Sequence, residues 1–290
     1  MTPDELREGW TPHRIGLRII VLPEVASTNR AALDMAADEG ADGLAVLADY
    51  QSNGRGRLGR AWNSPRGASV LLSVLLLSDD SDEALRDNNG AIPSQASGDA
   101  RVQQDVGAEL AGSSIGGRLT LVAAVASCQA IRRTTTVTPV IKWPNDLLVA
   151  NRKLGGILTE SSSLPNGLRA WVVGIGINCL QHAGHFSPEL GETATSLELE
   201  ASHPIDRTAV ARELLRALNE WLSHSVWLDH DALRTAWQMY AQPIGQRIRV
   251  RCNGQEYTGR TLAIEPHGGL IVQCDNGGQK WFDPMTTTLL

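Results

Sequence analysis

The sequence predicts an α/β protein of the α+β type: a mixed β-sheet domain flanked by helices, followed by a small C-terminal β-barrel. Three observations carry this expectation. Up to about residue 240, apolar runs of strand length alternate with segments of helical period. After Pro243 the period switches to two and tight glycine turns punctuate it. At 290 residues, 42% hydrophobic and 20% charged, the chain can bury one large core and a small accessory domain.

The elements follow in order. Arg18 to Leu22 reads as a strand, and Ser27, Thr28 and Asn29, residue types that cap helices, stand before the helical run that begins at Arg30. Leu44 to Ala48 and Ser69 to Leu77 read as strands on either side of a glycine- and arginine-rich loop. Residues 79–117 are acidic and rich in Gly, Ser, Asn and Gln, which predicts a flexible insertion without chemistry of its own. Leu119 to Arg132 has apolar residues at helical spacing, with Arg132 and Arg133 placed to meet the C-terminal dipole. Strands are expected at Val140 to Trp143, Gly155 to Thr159 and Ala170 to Ile177. Asp206 can cap a helix carrying Val210, Leu214, Leu218 and Trp221, and a further helix holds Leu233 and Trp237. In the last segment Ile248, Val250 and Cys252 alternate with Arg247, Arg249 and Arg251 before an Asn253-Gly254 hairpin turn, and strands Glu256 to Ile264 and Leu270 to Cys274 follow. The boundary falls near Ala241 to Ile244, giving domains 1–242 and 243–290.

Composition excludes several classes. A net charge of −6 offers no overall attraction to nucleic acid or an anionic membrane, so any positive site is local. Four cysteines without CxxC spacing argue against a zinc ribbon or a disulfide scaffold. The first residues lack the apolar core of a signal peptide, and no apolar run reaches the roughly 18 residues of a membrane helix, so a cytoplasmic protein is expected. Neither GxGxxG before a helix nor GxxxxGK[ST] occurs, which removes the Rossmann and P-loop readings. His182 and His185 form an HxxH with no third ligand at metal-site spacing.

Four segments carry chemistry. Gln51 to Trp62 reads QSNGRGRLGRAW: Gly54, Gly56 and Gly59 alternate with Arg55, Arg57 and Arg60, and no acid intervenes. Guanidinium forks and closely approached backbone N–H groups bind carboxylate or phosphate, so this loop is built to meet an anion. Taken alone it also suits a nucleic-acid-contacting patch. Lys142-Trp143-Pro144-Asn145-Asp146 places a cation and two polar groups at the end of a strand, where α/β sheets hold ligands, although a capped turn explains it equally. Lys153-Leu154-Gly155-Gly156-Ile157-Leu158 opens a strand with a lysine and deletes two side chains, to admit a ligand or to form a bulge. Gly174-Ile175-Gly176-Ile177-Asn178 again thins a buried strand and ends it with an amide.

In this order and spacing the four segments resemble the biotin protein ligase, or biotin–[acetyl-CoA-carboxylase] ligase, family: GRGRxGRxW at Gly54 to Trp62, KWPND, KLGGIL and GxGIN, with the Ser27-Thr28-Asn29 turn as a fifth match. The resemblance runs from about residue 17 to the end and implies that the C-terminal barrel is SH3-like. It further implies ATP-dependent activation of biotin to biotinyl-5′-AMP with release of pyrophosphate, then transfer to a lysine of a biotin carboxyl carrier protein, with Mg²⁺ assisting. Carried over by position, Ser27, Thr28, Asn29, Gln51, Gly54, Arg55, Gly155 and Gly156 would bind biotin. Arg57 and Lys153 would grip its carboxylate and the α-phosphate as the catalytic pair. Arg57, Arg60, Trp62, Lys142, Asn145, Asp146 and Asn178 would hold the nucleotide, with the metal near Asp146. The catalysis implied is electrostatic, so a Ser/His/Asp triad is not expected.

Some members of that family carry an N-terminal DNA-binding domain; the 26 residues before Ser27 are too few for one, and neither a nucleic acid nor a membrane is an expected partner. A monomer or weak homodimer is expected. The competing reading is a lipoate or octanoate carrier-protein ligase of the same fold.

Overall fold

The computed structural model describes residues 1–78, 115–223, 229–265 and 269–290. Seven strands form one mixed sheet: β1 (Ile19–Leu22), β2 (Ala45–Ala48), β3 (Ser69–Ser78), β4 (Val140–Lys142), β5 (Asp146–Val149), β6 (Arg152–Ser163) and β7 (Arg169–Asn178), in the order β1-β2-β3-β7-β6-β5-β4. β1 and β2 run parallel, linked through helix α2 (Thr28–Asp34), and the other neighbouring pairs are antiparallel.

Alternation along the strands divides the sheet into two unlike faces. Val70, Leu72, Val74 and Leu76 of β3 and Val173, Ile175 and Ile177 of β7 point into the main core, against α3 (Ile115–Thr134) and α4 (Arg207–Trp221). The other face carries a smaller core of Leu44, Val46, Leu75 and Val172 under the alanines of α2. Beyond that core the same face presents Leu71 and Ser73 of β3 opposite Gly176 and Gly174 of β7. Helix α4 begins where its sequence signal lies, with the Asp206 carboxylate accepting from the N–H groups of Thr208 and Ala209. Helix α5 (His230–Tyr240) is capped in the same way by Asp229.

Three expectations change. Ile115, Gly116 and Gly117, read as the end of the acidic insertion, belong to α3; the remainder of that segment, 79–114, lies outside the described residues. The apparent turn at Asp146 is the start of a strand, since β4 and β5 form a hairpin that sets Lys142 directly opposite Asp146. The polar leader holds a helix, α1 (Pro3–Arg7), started by a capping box in which the Thr2 side chain accepts from Glu5 N–H and the Glu5 carboxylate accepts from Thr2 N–H.

Five further strands, β8 (Arg247–Cys252), β9 (Gln255–Ile264), β10 (Leu270–Cys274), β11 (Gln279–Phe282) and β12 (Thr287–Leu289), form a second, antiparallel sheet in the order β11-β10-β9-β8-β12. The β8–β9 turn places Asn253 at φ 49° and Gly254 at φ 81°, the left-handed pair that a two-residue hairpin requires. Val250, Val272 and Phe282 join this sheet to the main core.

Candidate active site

A cavity of about 380 Å³ lies on the glycine-bearing face of the large sheet. Its lining comes from the N-terminus of α2, the loop Gln51–Trp62, the β4–β5 hairpin, β6 and β7, and it also includes Thr288 and Leu289 of β12. Four segments scattered over the sequence, together with the Ser27 turn, thus meet in one place.

Two features of the sheet build the floor. β7 gives Gly174, Gly176 and Asn178 to the cavity face, and their β6 neighbours in register are Leu158 opposite Gly174 and Gly156 opposite Gly176. A Cβ on Gly176 would lie 2.7 Å from the Trp62 indole, and one on Gly174 would lie 2.2 Å from Asn29 Oδ1. Both glycines therefore make room for neighbouring side chains. The second feature is an irregularity in the β5–β6 register: Leu147 faces Gly155 while Leu148 faces Lys153, so Leu154 is the extra residue. A bulge of this kind shifts the alternation by one residue, which brings Lys153 onto the cavity side together with Gly156 and Leu158.

Of the residues to which the resemblance assigns a binding or catalytic role, all but two line the cavity. Gly155 does not, because adjacent residues in a strand face opposite ways. Its Cβ would meet Gly176 O at 2.6 Å and the Leu147 side chain at 3.2 Å, so its lack of a side chain serves strand packing. Gly54 does not either; its Cβ would sit 2.4 Å from Trp62 O, which makes it the crossing point of the loop on itself.

One end of the cavity is a neutral polar network. Ser27 caps α2, and Gln51 Oε1 accepts from Thr28 N–H at 2.7 Å and from the Thr28 hydroxyl at 3.0 Å. Since that oxygen is occupied, Gln51 has its amide N–H groups to offer a ligand carbonyl. The other end is cationic. Lys153 Nζ pairs with Asp146 Oδ1 at 2.5 Å. Arg57 donates to Asn145 Oδ1 at 3.3 Å and to the main-chain carbonyls of Thr287 at 2.8 Å and Met285 at 3.4 Å. Burial lowers the Arg57 pKa from its ordinary value, against the opposing pull of Asp146 and Asp283. Asn145 is fixed from both sides, because its Nδ2 also donates to Ile157 O at 2.9 Å. Lys142 and Arg60 stand on the same lining. Asn178 is buried, with Nδ2 donating to Thr195 O and Oδ1 accepting from Gln181, while the Trp62 indole N–H is buried without a partner among the described residues.

Several contributors escaped the sequence reading. Glu160 and Ser73 hold Asn29, and Phe186, Leu190 and Ala194 complete the wall. Glu160 lies two residues beyond KLGGIL, but the identity of its partners depends on strand register. The carbonyls that hold Arg57 come from β12 and from the turn before it, and main-chain groups leave no local signal.

The sequence model of the Biotin/lipoate A/B protein ligase family matches residues 21–178, and that of the Biotin protein ligase C terminal domain matches residues 244–283. The biotin–[acetyl-CoA-carboxylase] ligase of Paracoccus denitrificans is 31% identical over 263 residues, 89% of this chain and 95% of that protein. The chain belongs to the biotin protein ligase family. The bifunctional ligase/repressor BirA of Bacillus subtilis is 30% identical over 280 residues, 97% of this chain and 77% of BirA. Among solved structures, biotin protein ligase from Aquifex aeolicus in complex with biotin and ATP superposes with a TM-score of 0.70 at 23% identity, over 94% of this chain and 99% of that one, so the two share the biotin protein ligase fold.

Proposed function

We propose that this protein condenses biotin with ATP to biotinyl-5′-adenylate and pyrophosphate, then transfers the biotinyl group to a lysine of a carboxylase carrier domain. The observation that supports it most directly is the polarity of the cavity: a neutral hydrogen-bonding end at Ser27, Thr28 and Gln51, and a cationic end at Arg57, Lys142 and Lys153, joined by an apolar, glycine-thinned floor. That sequence of environments matches a ureido ring, a bicycle with an aliphatic chain, and a carboxylate that must approach a phosphate.

Joining two anions is the difficulty, and it assigns the roles. Lys153 and Arg57, both on the cavity lining, are assigned to offset the repulsion between carboxylate and α-phosphate and to stabilise charge developing on the phosphoryl oxygens. Arg60, Asn178 and Trp62 hold the nucleotide. Asn145 orients Arg57. Mg²⁺ fits this donor set: it keeps most of its waters and needs one or two protein carboxylates besides phosphate, and Asp146 supplies one. When bound it would add positive charge to the phosphate oxygens. The proposal divides the chain into a catalytic domain, 1–242, and a C-terminal domain, 243–290. It places the enzyme in the cytoplasm as a monomer or weak homodimer; no helix of the described residues is long and apolar enough to cross a membrane.

The test is incubation with biotin, MgATP and a carboxylase carrier domain, followed by intact mass of the carrier. One added biotinyl group, lost when ATP is omitted or the carrier lysine is replaced, is expected. Modification by lipoate and not biotin would overturn the substrate assignment.

A further inference from the structure

Behind the neutral end of the cavity, six side chains form a closed circuit. Gln51 Oε1 accepts from Thr28; Thr28 Oγ1 lies 2.7 Å from Ser73 Oγ; Ser73 Oγ donates to Asn29 Oδ1 at 2.6 Å; Asn29 Nδ2 donates to Glu160 Oε2 at 2.7 Å; and Glu160 Oε1 faces Arg55 Nη2 at 3.4 Å. The circuit leaves the Gln51–Trp62 loop at Gln51 and returns to it at Arg55. Glu160 is its one acid, and it does not line the cavity.

We propose that Glu160 is a positioning residue for the small-molecule substrate, acting through Asn29 and Arg55; this rests on the catalytic reading above. Asn29 is buried and its amide is fully committed, Nδ2 to Glu160 and to Leu158 O at 3.3 Å, and Oδ1 to Ser73. Gly174 lacks a side chain where Asn29 passes. With the amide so fixed, the Ser73 hydroxyl is held between Asn29 Oδ1 and Thr28 Oγ1, and the Thr28 hydroxyl spends its one proton on Gln51 Oε1, which leaves Thr28 a lone pair and no proton for a ligand N–H. Glu160 thus fixes, through Asn29 and Ser73, the position from which Thr28 meets the ligand. Its second contact bears on the loop, because Arg55 lines the cavity and pairs with Glu160. As an ion pair, Arg55–Glu160 is half-exposed, at 45% and 27%, and such pairs add little to stability. Its contribution is geometric.

Loss of one oriented buried hydrogen bond corresponds to about a tenfold change in an equilibrium. Glu160→Ala is therefore expected to raise KM for biotin on the order of tenfold in biotin-dependent pyrophosphate release, leaving kcat and KM for ATP within about twofold. Glu160→Gln keeps the acceptor for Asn29 and loses the charge, so its rise should be about threefold; it also carries the test should the alanine variant fail to fold. Arg55→Met should cost less in the Glu160→Ala background than in the wild type. An unchanged KM for biotin in both Glu160 variants, a loss confined to kcat, or full additivity with Arg55→Met would each overturn the proposal. A wild-type protein that releases no pyrophosphate with biotin would instead remove the catalytic reading itself.

Discussion

The loop Gln51–Trp62 and the sheet beneath it use glycine differently. In the loop, Gly59 has nothing within 4 Å of its absent Cβ and sits at φ +72°, and a Cβ on Gly56 would come no closer than 3.6 Å to a neighbour. At Gly59 space is free and conformation is the constraint, whereas Gly54, where the loop crosses itself, is limited by volume. In the floor, Gly155, Gly174 and Gly176 have ordinary strand dihedrals, yet a Cβ would lie within 2.2–2.7 Å of another group at each. Here volume is the constraint. The cations divide along the same line: Lys153 is set by a strand bulge and held by Asp146, whereas Arg57 hangs from a loop and is held by a carbonyl of another sheet. The cavity is thus enclosed between a sheet that carries Lys153 and a loop that carries Arg57.

That contrast can be broken in three ways. The largest effect is expected at Lys153: Lys153→Ala should lower biotin-dependent pyrophosphate release by on the order of 10²-fold or more. Arg57→Gly should chiefly shorten retention of the adenylate, measured as biotinyl-AMP appearing in the filtrate. Wild-type rates in Lys153→Ala would take the floor cation out of the reaction. Next, Gly174→Ala should destabilise the fold by about 1–3 kcal/mol through overpacking against Asn29, and weaken biotin binding with it. Gly59→Ala should cost about 1 kcal/mol through its dihedral alone and leave biotin affinity intact. Thermal unfolding with biotin titration separates the two, and equal losses of affinity would erase the distinction. The smallest effect is one of access. Burial pushes the Cys179 thiol, at the end of β7, up to about 12, so it should resist alkylation at pH 8 while the partly exposed Cys252 reacts. Trypsin should cut after the loop arginines until biotin and ATP are added. Parallel rates for Cys179 alkylation and loop cleavage would mean that floor and cover open together.

The sequence carried the motifs and most of the strands because each has a local cause: alternation, capping residues, deleted side chains. β5 was hidden because Asp146 starts a strand from within a motif that also reads as a turn, and only pairing with β4 and β6 decides between them. The Gly155-Gly156 pair admitted two readings, ligand approach and bulge; the structure sets the bulge one residue earlier, at Leu154, turns Gly156 to the cavity and packs Gly155 on Gly176. Glu160 and Ser73 were unreadable for a different reason, since a carboxylate and a hydroxyl in apolar strands acquire meaning only when register sets them beside Asn29.

Arg57 takes its best acceptor from Thr287, on a strand that pairs with β8 at the far end of the chain. During synthesis the ribosome delivers the loop, the hairpin and both glycine strands well before it reaches Thr287. A nascent chain can thus display every recognisable motif of the site while its loop arginine still lacks its anchor. The small sheet, the last part of the chain to be made, completes the set of contacts that holds this arginine.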